Sequence, residues 1–180
     1  MKDEFGQFVR DEIANLDKQG GPVDAEKERL MWLAKLDVLY ALVRRSLKRY
    51  IDNGTIDFTL TETTLDEEWL GKYTVQRGTI YLGRKVVRLE PLGTIHPHSR
   101  GRVHLDGPRG VARFLLVPPD ALYPRVRQIF PPIHGVLDPN EPPDPPPESW
   151  VWKIAIMRPS AYIDLAHDNF RETLMGVIRG

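Results

Sequence analysis

From Tyr73 to Val117, short runs of β-branched and aromatic residues are cut by Gly and Pro at intervals suited to consecutive hairpins. The runs predict strands over Tyr73 to Gln76, Thr79 to Leu82, Lys85 to Leu89, Arg102 to Leu105 and Val111 to Val117. Asp106-Gly107-Pro108-Arg109-Gly110 forms the turn between the last two. An earlier strand starts at Thr55, where Ile56, Phe58 and Leu60 alternate with polar residues. The acidic run Glu62 to Glu68 then reads as a break. Two further strands, Trp150 to Met157 and Ala161 to Leu165, have no partners unless they return to the same sheet.

Outside these runs the apolar period lengthens to that of a helix. Phe5, Phe8, Val9, Ile13 and Leu16 predict a first helix that Gly20-Gly21-Pro22 ends. Asp24 is positioned to cap a second, running to about Ile51, with Glu26 and Glu28 early and Arg44, Arg45, Lys48 and Arg49 late, as the helix dipole prefers. Its apolar residues between Leu30 and Ile51 exceed one stripe. The sheet is expected to cover one side, and the first helix or a second subunit the other. Near the end, Phe170, Leu174, Val177 and Ile178 predict a short helix capped by Asp168 or Asn169, with Glu172 completing a capping box.

These elements compose a single α+β domain over residues 1–180. Residues 1–54 form two N-terminal helices, 55–117 an antiparallel sheet of hairpins, 118–149 a long Pro-rich loop, and 150–180 returning strands with a C-terminal helix. Eleven of the residues from Pro118 to Ser149 are proline, which favours extended polyproline geometry and excludes regular strands there.

Composition narrows the function more by exclusion than by assignment. The absence of cysteine removes disulfides, thiolate metal sites and a Cys nucleophile, and fits a reducing compartment. The opening residues MKDEFGQF carry acid where a signal peptide carries base, and no apolar run reaches the roughly 18 to 20 residues that span a bilayer. A cytoplasmic protein without membrane association is expected. P-loop, dinucleotide-fold and nucleophile-elbow motifs are all missing, and no cofactor is implied.

The formal net charge of zero conceals a segregation of charge. Residues 1–76 hold 11 basic and 15 acidic side chains, residues 129–180 hold 4 and 7, and residues 77–128 hold 10 and 3. The central excess is nearly all arginine, whose planar fork suits phosphate and carboxylate. Arg84, Lys85, Arg88, Arg100, Arg102, Arg109 and Arg113 are the candidate polyanion-binding residues, with Tyr73 or Tyr81 to stack on bases. Nucleic acid or an acidic protein is the expected partner of this non-catalytic binding module. Two other functions fit the sequence. One is an assembly or adaptor subunit that binds through the Pro-rich loop or the helix from Leu30 to Ile51, which could also mediate homo-oligomerisation. The other is a metalloenzyme using His96, His98 and His104, whose nitrogen ligands suit a divalent ion.

Overall fold

Helix α1, Ala25–Asp52, buries Trp32, Leu36, Leu39, Tyr40, Val43, Ser46 and Leu47. The spacing of three and four residues sets them on one stripe. A computed structural model of the chain describes residues 5–8, 25–94, 96, 99–124, 144–158 and 160–180. Residues 5–8 are helical; the remainder of the predicted first helix, the Asp24 cap and most of the Pro-rich segment lie outside the described residues. The apolar excess of α1 is covered only in part, since Leu30 and Val38 stay 58% and 55% exposed.

The stripe rests on a seven-stranded antiparallel sheet whose spatial order is its chain order. The strands are β1 (Ile56–Glu67), β2 (Gly71–Leu82), β3 (Lys85–Gly93), β4 (Arg102–Gly107), β5 (Gly110–Val117), β6 (Val151–Met157) and β7 (Ser160–Asp164). The returning strands therefore do rejoin the sheet, pairing β6 with β5 and β7 with β6.

Two sequence expectations are corrected at the first hairpin. The acidic run does not break β1, which continues in register with β2 as far as Glu67↔Gly71. Nor does Gly78 separate two strands. A Cβ there would sit 3.0 Å from both the Phe58 ring and Leu89, so this glycine serves close packing inside one continuous strand.

The β1–β2 ribbon also changes its buried parity. Ile56, Phe58 and Ile80 are buried in its first half, Glu67, Tyr73 and Val75 in its second, while the register never slips. Pairing between β2 and β3 begins only at Gly78↔Leu89. The far half is thus a two-stranded arm, which rotates to turn its opposite face towards α1. Tyr40 of α1 donates a hydrogen bond to the Gln76 carbonyl where the ribbon turns.

The arm is latched at its tip. The buried Glu67 carboxylate accepts from the Tyr73 hydroxyl, and at 2.8 Å from both the amide and the hydroxyl of Thr94, just beyond β3. Burial, followed by the Glu67 carboxylate, pushes the Tyr73 phenol well above its usual range.

Helix α2, His167–Arg179, covers the other end of the inner sheet face. Its Phe170 ring packs 6.3 Å from Phe114. It starts one residue before Asp168, with Ala166 as N-cap and no side-chain capping bond. The expected capping box does not form. Asn169 instead donates to the Asp164 carbonyl at 2.9 Å, tying the helix to the end of β7.

Gly107 lets the last turn of α2 lie on the β4–β5 hairpin, because a Cβ there would meet the Val177 carbonyl oxygen at 2.5 Å. Backbone cannot yield as a flexible side chain can. Gly107→Ala is expected to cost about 2 kcal/mol, within the range for overpacking, and to lower the midpoint of urea unfolding without changing its slope.

Candidate functional site

Strand alternation and register decide which side chains share the sheet face turned away from the helices. Val87, Leu89, Val103, Leu105 and Phe114 point inward to the core. Arg88 and Glu90 on β3, Arg102, His104 and Asp106 on β4, and Arg113 and Leu115 on β5 therefore point outward. The pairs Arg88↔Asp106, Glu90↔His104, His104↔Arg113 and Arg102↔Leu115 arrange them as a lattice. His104 stands at its centre, with Arg102 two residues along its own strand and Arg113 beside it on the next.

The face is mixed in charge. Arg77 of β2 binds Glu90 at 2.8 Å, whereas Arg88, Arg102 and Arg113 form no ion pair among the described residues. Arg102 Nε and His104 Nε2 are buried and have no hydrogen-bond partner among the described residues. Burial, followed by the Arg102 and Arg113 guanidinium groups, holds the His104 imidazole below its ordinary value, with Asp106 opposing. Tyr81 lies on this face at 42% exposure, diagonal to Arg88 through the pairs Thr79↔Arg88 and Tyr81↔Val86. Tyr73 does not, being enclosed at the latch.

The seven candidate basic residues thus divide. Arg84 lies in the two-residue turn between Leu82 and Lys85, where Gly83 at φ 57 opens the hairpin, and Lys85 is exposed beside it. Arg100 belongs to the helix side: it pairs with Glu28 of α1 at 3.2 Å and stacks on Trp150, its guanidinium 5.3 Å from the ring centre. Arg109 sits in the β4–β5 turn with its amide bonded to the Val177 carbonyl at 2.9 Å. Arg88, Arg102 and Arg113 share the outer face, with Arg102 and Arg113 diagonal neighbours and Arg88 set apart beyond His104 and Asp106.

Comparison with protein-family models, curated proteins and solved structures returns no match for this chain.

Of the histidines, His96 forms an isolated bridge with Ser99, His104 lies on β4, and His98 is outside the described residues. Among the described residues, no three His, Asp or Glu side chains gather as a metal site. Also among the described residues, no helix is long and apolar enough to cross a membrane.

One Ser–His contact invites comparison with a nucleophile and its base. Ser46 Oγ of α1 lies 2.7 Å from His167 Nδ1 of α2. Its only hydrogen has a second acceptor in the Leu42 carbonyl, also at 2.7 Å, and when donated there leaves the imidazole N–H as the donor to Ser46. A ring nitrogen that donates cannot withdraw the serine proton, and the contact joins buried Ser46 of one helix to exposed His167 of the other.

Between α1 and β6 there is a cleft of about 220 Å³ lined by Lys35, Val38, Trp150 and Trp152. That falls below the roughly 300 Å³ at which ligand pockets begin. Lys35 is held at its rim by the Glu148 and Trp150 carbonyls, each at 2.7 Å.

Sequence reasoning overlooked Lys153, a buried cation on β6 whose Nζ donates to the Pro119 and Ala121 carbonyls at 2.8 and 2.9 Å and pairs with Asp164 at 3.1 Å. Its signal is a lone lysine inside the apolar run Val151-Trp152-Lys153-Ile154. The carbonyls anchor the segment after β5 over the outer face, where Ala121 packs on Leu115, Val117 and Tyr162. The outer face is therefore covered at β5–β7, whereas Arg88 and Arg113 are exposed and Arg102 and His104 half-buried.

His104 gives this face a pH dependence. Its folded-state value lies below the ordinary 6.5, so the unfolded chain takes up the proton first as pH falls. Stability is expected to decline as pH falls through 6.5. His104→Gln should flatten that decline, as read from urea midpoints between about pH 7.5 and 5.

Proposed function

We propose that the protein is a non-catalytic binding module whose outer sheet face holds single-stranded nucleic acid, with Arg88, Arg102 and Arg113 contacting phosphates and Tyr81 stacking on a base. The observation that carries this reading is that these arginines, none in an ion pair among the described residues, stand on three consecutive strands of one face. Adjacent strands lie about 4.8 Å apart. Guanidinium groups on that lattice can follow a phosphate backbone, and each presents a planar fork to phosphate oxygens.

Tyr81 favours nucleic acid over an acidic protein, because an exposed ring beside Arg88 supplies the π-face that bases stack on. Glu90 and Asp106 moderate the positive field, and contact with phosphate would be confined to the arginine positions. Binding should strengthen as pH falls below the ordinary histidine value, since a bound polyanion favours the charged imidazole of His104.

The test is fluorescence anisotropy with labelled single-stranded RNA and DNA, duplexes of the same sequence, and an acidic peptide. Preferential single-strand binding, with log affinity falling linearly against log salt, supports the reading. Stronger binding of the peptide would replace it with a protein partner, and no binding at low salt would overturn it.

A further inference from the structure

The two edges of the sheet are unlike. β7 is five residues long, and its Tyr162 amide is bonded by the Leu122 carbonyl at 2.9 Å. β1 has twelve residues and, among the described residues, pairs only with β2. The two-residue turn makes Leu82↔Lys85 a hydrogen-bonded pair, so the Thr79 and Tyr81 peptide groups face β1. Odd-numbered residues of β1 consequently bond to β2. The peptide groups of Phe58, Leu60, Glu62 and Thr64 point away from the sheet, and no described residue bonds them.

Edge strands of this length are ordinarily blunted by lysine, proline or a bulge. β1 has no basic residue and no proline, and its register is unbroken. Its distal half is also the less supported part of the sheet, a two-stranded ribbon beyond the reach of β3.

We propose that β1 pairs antiparallel with β1 of a second copy of this chain, about a two-fold axis at Thr61, so that the sheet continues across the dimer. An axis normal to the sheet sets residues of equal parity opposite one another. Centred on Thr61, it pairs every residue from Ile56 to Asp66 and sets each of the three exposed acids against an apolar residue: Asp57 opposite Leu65, Glu62 opposite Leu60, Asp66 opposite Ile56. Thr59 meets Thr63, a favourable cross-strand pair. Centring on Glu62 would set that carboxylate against its own copy and Asp57 against Glu67. Centring on Leu60 would leave Leu65 and Asp66 unpaired. The strand is thus self-complementary in one register, and the partner it fits is itself.

The chain has no cysteine, so one introduced thiol reports the contact. Thr61 would form a non-hydrogen-bonded pair with its copy, Cα atoms about 4.5 Å apart, within disulfide reach. Light scattering during size exclusion should give twice the chain mass of 20.7 kDa. Thr61→Cys should crosslink to itself on mild oxidation. Thr59→Cys should not, yet should crosslink to Thr63→Cys in a mixture. Leu60→Pro removes an outward amide without touching β2 and should give a monomer with unchanged circular dichroism. A monomeric wild type at all concentrations, or a dimer in which Thr61→Cys fails to crosslink, would overturn the proposal. Neither result bears on the outer-face arginines, whose nucleic-acid test is separate.

Discussion

Replacing Arg88, Arg102 and Arg113 together by alanine is expected to weaken binding of single-stranded nucleic acid at least ~100-fold at low salt, because each charge-assisted contact contributes about 1.5 kcal/mol or more. The slope of log affinity against log salt should fall by roughly 2, at about 0.7 per phosphate contact on a single strand. The matched triple variant Arg84→Ala/Arg100→Ala/Arg109→Ala removes the same formal charge from positions that do not share the face, and should lose far less. Equal losses in both variants would show that only overall charge matters. Folding should be unaffected by the first variant, because none of its three side chains forms an ion pair among the described residues, and unfolding curves provide the control.

Glu67→Ala is expected to be the most destabilising of the polar substitutions. It leaves the Tyr73 hydroxyl and the Thr94 amide and hydroxyl without their shared acceptor, and buried donors left unpaired cost about 1 to 3 kcal/mol each. A total of about 3 kcal/mol is expected once water reaches part of the site, lowering the melting temperature by roughly 10 °C in a domain of this size. Glu67→Gln keeps an acceptor and should cost less. Gly93 would bring a Cβ within 2.7 Å of the same carboxylate, so Gly93→Ala should disturb the latch from the opposite side. Hydrogen exchange provides the local readout: in Glu67→Ala the amides from Thr63 to Val75 should lose protection before the core strands do.

The parts of the fold legible in the sequence are those in which local pattern and tertiary role agree. Ile56, Phe58 and Leu60 alternate as a half-buried strand does, and Trp152 and Ile154 mark a strand that needed the earlier sheet for partners. Gly83-Arg84 is a hairpin turn by composition and in the structure. Where a residue serves a distant contact, the local reading misleads. Gly78 has the composition of a turn, yet it makes room for Phe58 and Leu89. The acids from Glu62 to Glu68 have the composition of a solvated face, yet Glu67 is an enclosed acceptor for groups six and twenty-seven residues away.

The candidate site was legible to the same degree. Alternation alone placed Arg113 with Val111 and Leu115, and Arg88 opposite to Lys85. It could not join β3, β4 and β5 in register, because the shift between Pro91 and Gly93 is set by pairing rather than composition. Arg100 and Arg102 differ by two positions and by strand alternation should share a face. Arg100 precedes β4, however, and is drawn to the helix side by Glu28 and Trp150.

The order of the sheet has a consequence for biosynthesis. Each strand pairs with its neighbour in the chain, so hairpins can zip up as they are made, and loop closure costs little until late. The inner face at β4 and β5 is different. Val103, Leu105 and Phe114 are buried in one cluster with Phe170, Leu174 and Val177 of α2, made more than fifty residues after Phe114. Until that helix is made, a nascent chain lacks the residues that cover this apolar face, and the translation of the Pro-rich segment is the interval in which hairpins already paired are expected to be most prone to aggregate.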